Sequence, residues 1–200
     1  MPMPDAPLGR RERNKQAKLE RITAAAGELF ARHGIDEVTT HQIAEAADIG
    51  TGTLFLYARN KAELLLLVQN SHYATALERG RAAAAHQDEA LQALLALLTP
   101  IIECNRVHVG NGRTYLREMV FGDPAEPHHA QALAISGRTG EAIAGILIEH
   151  LGVTTEDAAK YARVASAIMF LTMASSEYAD SSVEDIVGAI RSQVQAVLPH

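Results

Sequence analysis

The sequence has no tryptophan, a single cysteine and only nine phenylalanine or tyrosine residues among its 200 positions. So few aromatics, set against 35 alanines and 21 leucines, favour helices and exclude a mostly β protein. One thiol, Cys104, cannot close an internal disulfide or build a cysteine-only metal cluster, which removes the secreted-scaffold and zinc-ribbon readings. No apolar run approaches the roughly 18 to 20 residues that cross a bilayer, and the leading MPMPDAPLGRRERNK lacks the apolar segment of a signal peptide. A cytoplasmic chain held by a packed core is expected. There is no Gly-rich phosphate loop, and no third partner completes a catalytic group around Cys104 and His108 or around His128-His129. Enzymatic activity is therefore not expected, and no cofactor is implied.

What is present is an ordinary globular balance, 48% hydrophobic and 21% charged, with the charge unevenly placed. Residues 1 to 62 hold nine Lys or Arg and eight Asp or Glu, whereas residues 63 to 200 hold nine and sixteen. Arg10, Arg11, Arg13, Lys15, Lys18 and Arg21 give the acidic protein a basic leading edge. Phosphate binding needs such a local patch and does not need a basic whole.

Three prolines and Gly9 make the first residues poor in structure, so residues 1–12 read as a flexible basic arm. From Arg13, the positions Leu19, Ile22, Ala26, Leu29, Phe30 and His33 recur at helical spacing, and Gly34 offers a stop. Thr39 and Gln42 form a capping box for a short helix, Thr40 to Ala47. Asp48-Ile49-Gly50 breaks it, and Thr51 to Tyr57 forms a second short helix, which together make a helix-turn-helix. Asn60 to Glu63 reads as another capping box, opening a long helix to about Arg81. Further helices are expected near 86–105, 111–121, 127–151, 155–178 and 182–198, with Pro100 kinking or splitting the first. The fold class is all-α, with about nine helices: a three-helix domain bearing the helix-turn-helix over residues 13–62, then a helical domain over 63–200.

Residues 38 to 68, VTTHQIAEAADIGTGTLFLYARNKAELLLLV, resemble the DNA-binding segment of the TetR family of bacterial one-component transcriptional regulators. The matching positions are Thr39, Ile43, Ala44, Ala47, Ile49, Gly52, Thr53, Leu54, Phe55, Tyr57, Lys61 and Leu64. The helix ending Leu29-Phe30-Ala31-Arg32-His33-Gly34 extends the likeness back to about residue 14. The sequence departs from the family pattern at Asp48 (usually Gly), Gly50 (usually Ser or Thr), Phe55 (usually Tyr) and Ala58 (often Phe). Asp and Gly both suit a turn or cap, so the fold reading stands. Phe55, however, lacks the hydroxyl with which the family's Tyr reaches a phosphate.

A recognition helix presents its N-terminal side chains to base edges while flanking elements hold phosphates. Thr51, Gly52, Thr53, Phe55 and Leu56 would lie nearest the bases. None can make the two-point contacts by which Arg reads guanine or Asn and Gln read adenine. Thymine-methyl contacts by Thr51, Thr53 and Leu56, supplemented by His41 and Gln42, are expected to carry direct reading. Arg10 and Arg11 could enter the minor groove, and Thr39, Thr40, Tyr57 and Lys61 are the phosphate candidates.

The resemblance further implies a homodimer on a palindromic operator, because a twofold dimer reads half-sites about 34 Å or a multiple apart. Its last two helices are expected to pack against their copies as a four-helix bundle. The apolar or soft residues Ile101, Cys104, Val107, His108, Tyr115, Met119, Phe121, Phe170 and Met173 form the expected effector-binding set. The resemblance thus implies an effector-binding and dimerisation domain over 63–200 and a repressor released by a small, largely apolar effector. The alternatives are a metal-sensing regulator using Cys104 and His108 and, ranked below it, an enzyme or a helical interaction module that has lost DNA binding.

Overall fold

The computed structural model describes residues 9–199. The expected arm therefore lies largely outside the described residues. Its last part is already helical, because α1 spans Arg10–Glu37 and starts three residues before the expected Arg13. The strong helix formers Arg, Glu and Lys fill this first turn, and the Arg13 amide donates to the Gly9 carbonyl at 3.0 Å.

Gly34 interrupts α1 with φ 75° and ψ 161°, a combination essentially confined to glycine. Then follow α2 (Thr40–Ala46) and α3 (Thr51–Leu54). The Thr39 box forms as expected: the Gln42 amide donates to Thr39 Oγ1 at 3.2 Å, and the Thr39 amide to Gln42 Oε1 at 2.8 Å. Asp48 takes the left-handed conformation, φ 53°, in the turn where the family pattern has glycine. Short Asx side chains tolerate that region. The expected helix 51–57 is regular only to Leu54; tighter turns carry Leu56 and Tyr57 through bonds to Thr53 and Leu54.

The long α4 (Lys61–Ala84) packs against α1, α5 (Ala90–Arg106), α6 (Val109–Phe121) and α7 (Pro127–Leu151). At Gly80 an added Cβ would lie 2.1 Å from the Leu97 carbonyl oxygen, so only glycine permits this approach of α4 to α5. Of the kink or split expected at Pro100, the split does not occur: α5 runs unbroken from Ala90 to Arg106. The helix is buried against α4, α7 and α9, and that packing carries it through the single missing amide.

The last helices are α8 (Thr155–Ala174) and α9 (Val183–Val197), joined across a short 3₁₀ turn, Ser176–Tyr178. α8 ends four residues earlier than expected. Arg113 Nε donates to the carbonyl of its last residue, Ala174, at 3.1 Å, and Arg106 Nη2 holds the turn that follows through the carbonyls of Tyr178, Ala179 and Ser181 at 3.1, 2.6 and 3.0 Å.

One continuous core runs from Ile22, Phe30, Ile43 and Leu54 through Leu64, Leu65 and Leu77 to Leu97, Ile143 and Ile190. Among the described residues no single helix is long and apolar enough to cross a membrane. α5 and α6 reach that composition only together, and they are bent by 113°.

Candidate functional site

The turn that follows α3 lies against the basic start of α1. Arg10, Arg11, Asn14, Lys15 and Lys18 line one open groove with Leu56 and Tyr57. The Tyr57 hydroxyl is 3.5 Å from the Lys15 carbonyl, which ties the two walls together. Leu54 anchors α3 in the core, whereas Phe55 is 48% and Leu56 82% exposed. An exposed aliphatic side chain of that size beside unburied cations is suited to base methyls flanked by phosphates.

The remaining DNA candidates fall on the same domain with unequal freedom. Thr51 and Thr53 are half-buried, while His41 and Gly52 are exposed. Thr39 and Gln42 are exposed but engaged in the cap: Thr39 Oγ1 donates to Gln42 Oε1 at 2.9 Å. Gln42 therefore offers bases its amide nitrogen and not a two-point contact. Lys61 opens α4 and points back to α1, its Nζ donating to the Asp36 carbonyl at 3.2 Å. Lys15 and Lys18 were absent from the sequence-based set, although their cationic spacing was visible; what puts them at the site is their position opposite Leu56.

The turn after α3 is fastened to the rest of the molecule. Arg59 pairs with Glu126, and with Asp123 at 3.6 Å; these carboxylates raise its pKa. The expected Asn60–Glu63 box is only half formed. Asn60 accepts from the Glu63 amide at 2.9 Å, but the Glu63 carboxyl is buried, 4% exposed, beside the His128 and His129 amides, and its Oε2 has no hydrogen-bond partner. It lies near the start of α7, where the helix dipole favours an anion. Burial nonetheless raises its pKa.

A second feature is a cavity of about 400 Å³ between α4, α5, α6, α7 and α8. Ile101, Tyr115, Met119, Phe170 and Met173, all in the sequence-based set, share its wall with Ile135 and Met169. Cys104, Val107 and His108 do not reach it. They line another cleft, between α1, α4 and α5, because the end of α5 turns them toward α1. His108 is engaged as the α6 N-cap, accepting from the Asn111 amide at 3.3 Å. Phe121 is 78% exposed at the end of α6. Burial pushes the Cys104 thiol up to about 11, away from the thiolate a metal requires, and the described residues include no group of three or more His, Cys, Asp or Glu able to hold a metal.

Sequence reasoning missed the polar part of the cavity: Ser136, Thr139, Ser166 and Arg163. Arg163, Ser166, Ala167 and Phe170 follow helical spacing along α8, and a cation within the small apolar part of that helix, beyond the Glu156, Asp157 and Lys160 of its first turns, was the available signal. Among the described residues, Arg163 has no carboxylate partner.

Two short helices joined by a turn, seated on a helical domain that encloses an apolar cavity, define a helix-turn-helix regulator. The family model described as bacterial regulatory proteins, tetR family, matches residues 22–68. Over 54 residues the chain is 39% identical to an uncharacterized HTH-type transcriptional regulator of Haemophilus influenzae, a match covering 26% of this chain and 29% of that relative's length. Two solved structures resemble the whole fold. One is Thermus thermophilus FadR, a TetR-family transcriptional repressor in complex with lauroyl-CoA, with TM-score 0.68 and 26% identity over 91% of this chain and 96% of that one. The other is a TetR transcriptional regulator from Rhodococcus sp. RHA1, with TM-score 0.68 and 18% identity over 92% and 97%. Residues 22–68 thus match the DNA-binding segment of the tetR family, and the chain as a whole has the fold of TetR-family regulators.

Proposed function

We propose that this chain is a sequence-specific DNA-binding repressor, active as a homodimer, whose operator binding is relieved by a small amphiphile with an apolar body and an anionic end. The observation carrying the first part is the groove shared by the start of α1 and the turn after α3, in which Arg10, Arg11, Lys15 and Lys18 stand opposite Leu56 and Tyr57. Cations there hold phosphates while Leu56, Thr51 and Thr53 meet thymine methyls. Thr39, Thr40 and Lys61 add phosphate contacts, and His41 with Gln42 reads from α2. Gly52 lets the backbone approach, and Phe55 adds apolar contact.

The dimer is supported by apolar side chains left on the outer faces of α8 and α9, Val164, Leu171 and Val197, which a second copy would cover.

The effector class follows from the cavity. Its wall is apolar apart from a few hydroxyls and the one cation, Arg163, a lining that fits a hydrocarbon chain ending in a carboxylate or phosphate. The acyl thioester held by the Thermus FadR structure belongs to that class, and lauroyl-CoA is a rational first probe.

The test is selection from random duplex DNA followed by anisotropy titration at several salt concentrations. A palindromic site bound with a steep salt slope is expected, weakened by lauroyl-CoA or a shorter acyl homologue. Binding without sequence preference would overturn the proposal.

A further inference from the structure

A row of polar side chains leads from the cavity wall to the end of the recognition segment. Tyr115 lines the cavity and is 2% exposed, its ring stacked on Tyr73 with centroids 4.2 Å apart. Its hydroxyl donates to Asn70 Oδ1 at 2.9 Å. Asn70, 1% exposed on α4, donates through Nδ2 to the His128 carbonyl at 2.9 Å and to Gln131 Oε1 at 3.2 Å. The orientation of this carboxamide is determined, because the His128 carbonyl can only accept.

His128 Nε2 lies 2.9 Å from the Tyr57 carbonyl oxygen. That oxygen also only accepts, so Nε2 carries the proton. Tyr57 ends the recognition segment: its amide donates to Leu54 at 2.9 Å and its hydroxyl meets the Lys15 carbonyl in the basic wall. Every donor in the row points from the cavity toward the DNA face.

The first turn of α7 is held by side chains from outside the helix. Asn70 holds it through the His128 carbonyl and Arg59 through Glu126, and the buried Glu63 carboxyl lies beside it. Asn70 Nδ2 is shared between His128 and Gln131, so the carboxamide has two partners on one helix and can favour either.

We infer that His128 is the residue through which the effector cavity positions the recognition segment. An occupant that displaces the Tyr115 ring or accepts its hydroxyl proton removes the bond fixing Asn70. The carboxamide then turns toward Gln131, the His128 carbonyl is released, and the Tyr57 carbonyl loses its outside restraint. This inference rests on reading the cavity as an effector chamber; it adds the route by which occupancy reaches DNA.

The test needs neither DNA nor ligand. Hydrogen exchange of the full-length protein is followed at the amides of Leu54, Leu56, Tyr57 and Ala58, with Ile190 in α9 as the internal reference. Tyr115→Phe and His128→Ala are each expected to speed exchange at the four amides about fivefold, the worth of one net hydrogen bond, with Ile190 unchanged. The double variant should be no faster than the faster single, since both cut one row, and His128→Gln, which retains a donor, should recover most of the protection. The inference is overturned if Tyr115→Phe leaves the four amides at wild-type rates, if the two effects multiply, or if Ile190 accelerates equally. DNA selection and lauroyl-CoA release, measured on the same proteins, report separately on the proposed function.

Discussion

The carboxamide of Asn111 occupies the break that Gly34 makes in α1. Its Oδ1 accepts from the Ile35 amide and its Nδ2 donates to the Phe30 carbonyl, each at 2.8 Å. A buried side chain from α6 thus satisfies two backbone groups that the interrupted helix leaves open. The His108 ring fills the space beside Gly34, 2.8 Å from where a Cβ would stand.

Removing either partner should therefore loosen the attachment of α1 to α6. Asn111→Ala leaves a buried donor and a buried acceptor unpaired and should cost about 2–4 kcal/mol. Gly34→Ala adds a strained φ to a clash and should fall in the same range. Urea denaturation of the full chain checks both, with Gly137→Ala, at an open helical position, as the neutral comparison.

On DNA, Lys61→Ala should weaken binding to every sequence and flatten the salt dependence by about one counterion. Thr53→Val should instead change which site is preferred. Leu56→Ala, at a side chain that is largely exposed, should leave the melting temperature unchanged while weakening the selected operator. Anisotropy titrations over matched and mismatched duplexes separate these effects; equal loss of specificity from Lys61→Ala and Thr53→Val would refute the division of labour.

In the cavity, Arg163→Gln should weaken lauroyl-CoA by roughly tenfold, the order of a charge-assisted hydrogen bond, while preserving the preference among chain lengths. Met173→Trp should shorten the preferred chain by filling the apolar end. Isothermal titration with acyl homologues reads both; an Arg163→Gln protein with unchanged affinity would remove the anionic end from the proposal.

Cys104 should react slowly. Burial raises its pKa from 9.0 to about 11, which leaves about a hundredfold less thiolate at neutral pH. Alkylation by iodoacetamide at pH 8 should run at least tenfold slower than that of a free cysteine, and reach the free-cysteine rate in denaturant.

Glu63 gives a pH signature of defined sign. Its folded pKa is raised above the ordinary 4.5, so the folded state holds the proton more tightly than the unfolded one. Stability from this group is present below about pH 4.5 and is lost as pH rises through the folded value. The difference in unfolding free energy, wild type minus Glu63→Gln, should fall as pH rises from 4.5. A rise instead would mean that the α7 amides outweigh burial.

The sequence carried the DNA-binding domain well because its signals are local. The Thr39–Gln42 box, the Asp48 turn and the Gly34 stop each act within a few residues, and the same spacing carried the family likeness. Helix ends held from a distance were misjudged: Arg113 and Arg106 bind the carbonyls at and beyond the end of α8, and the buried Glu63 carboxyl does not complete the cap of its own helix. The cavity was half legible. Periodicity marks residues as apolar without saying which of two clefts they face, so Cys104, Val107 and His108 were grouped with Tyr115 and Met119, and Arg163 was overlooked.

By itself the sequence determined an all-helical chain, the order of its helices and a helix-turn-helix with a basic edge, since composition, 3.6-residue spacing and caps are short-range physics. Only the tertiary structure decided that Leu56 faces Lys15 and Lys18, that Arg163 is the cation on the cavity wall, and that Tyr115, Asn70, His128 and Tyr57 stand in one row. Those relations join residues up to 71 positions apart, and packing alone, through the burial of α4 among its neighbours, brings them within hydrogen-bond reach.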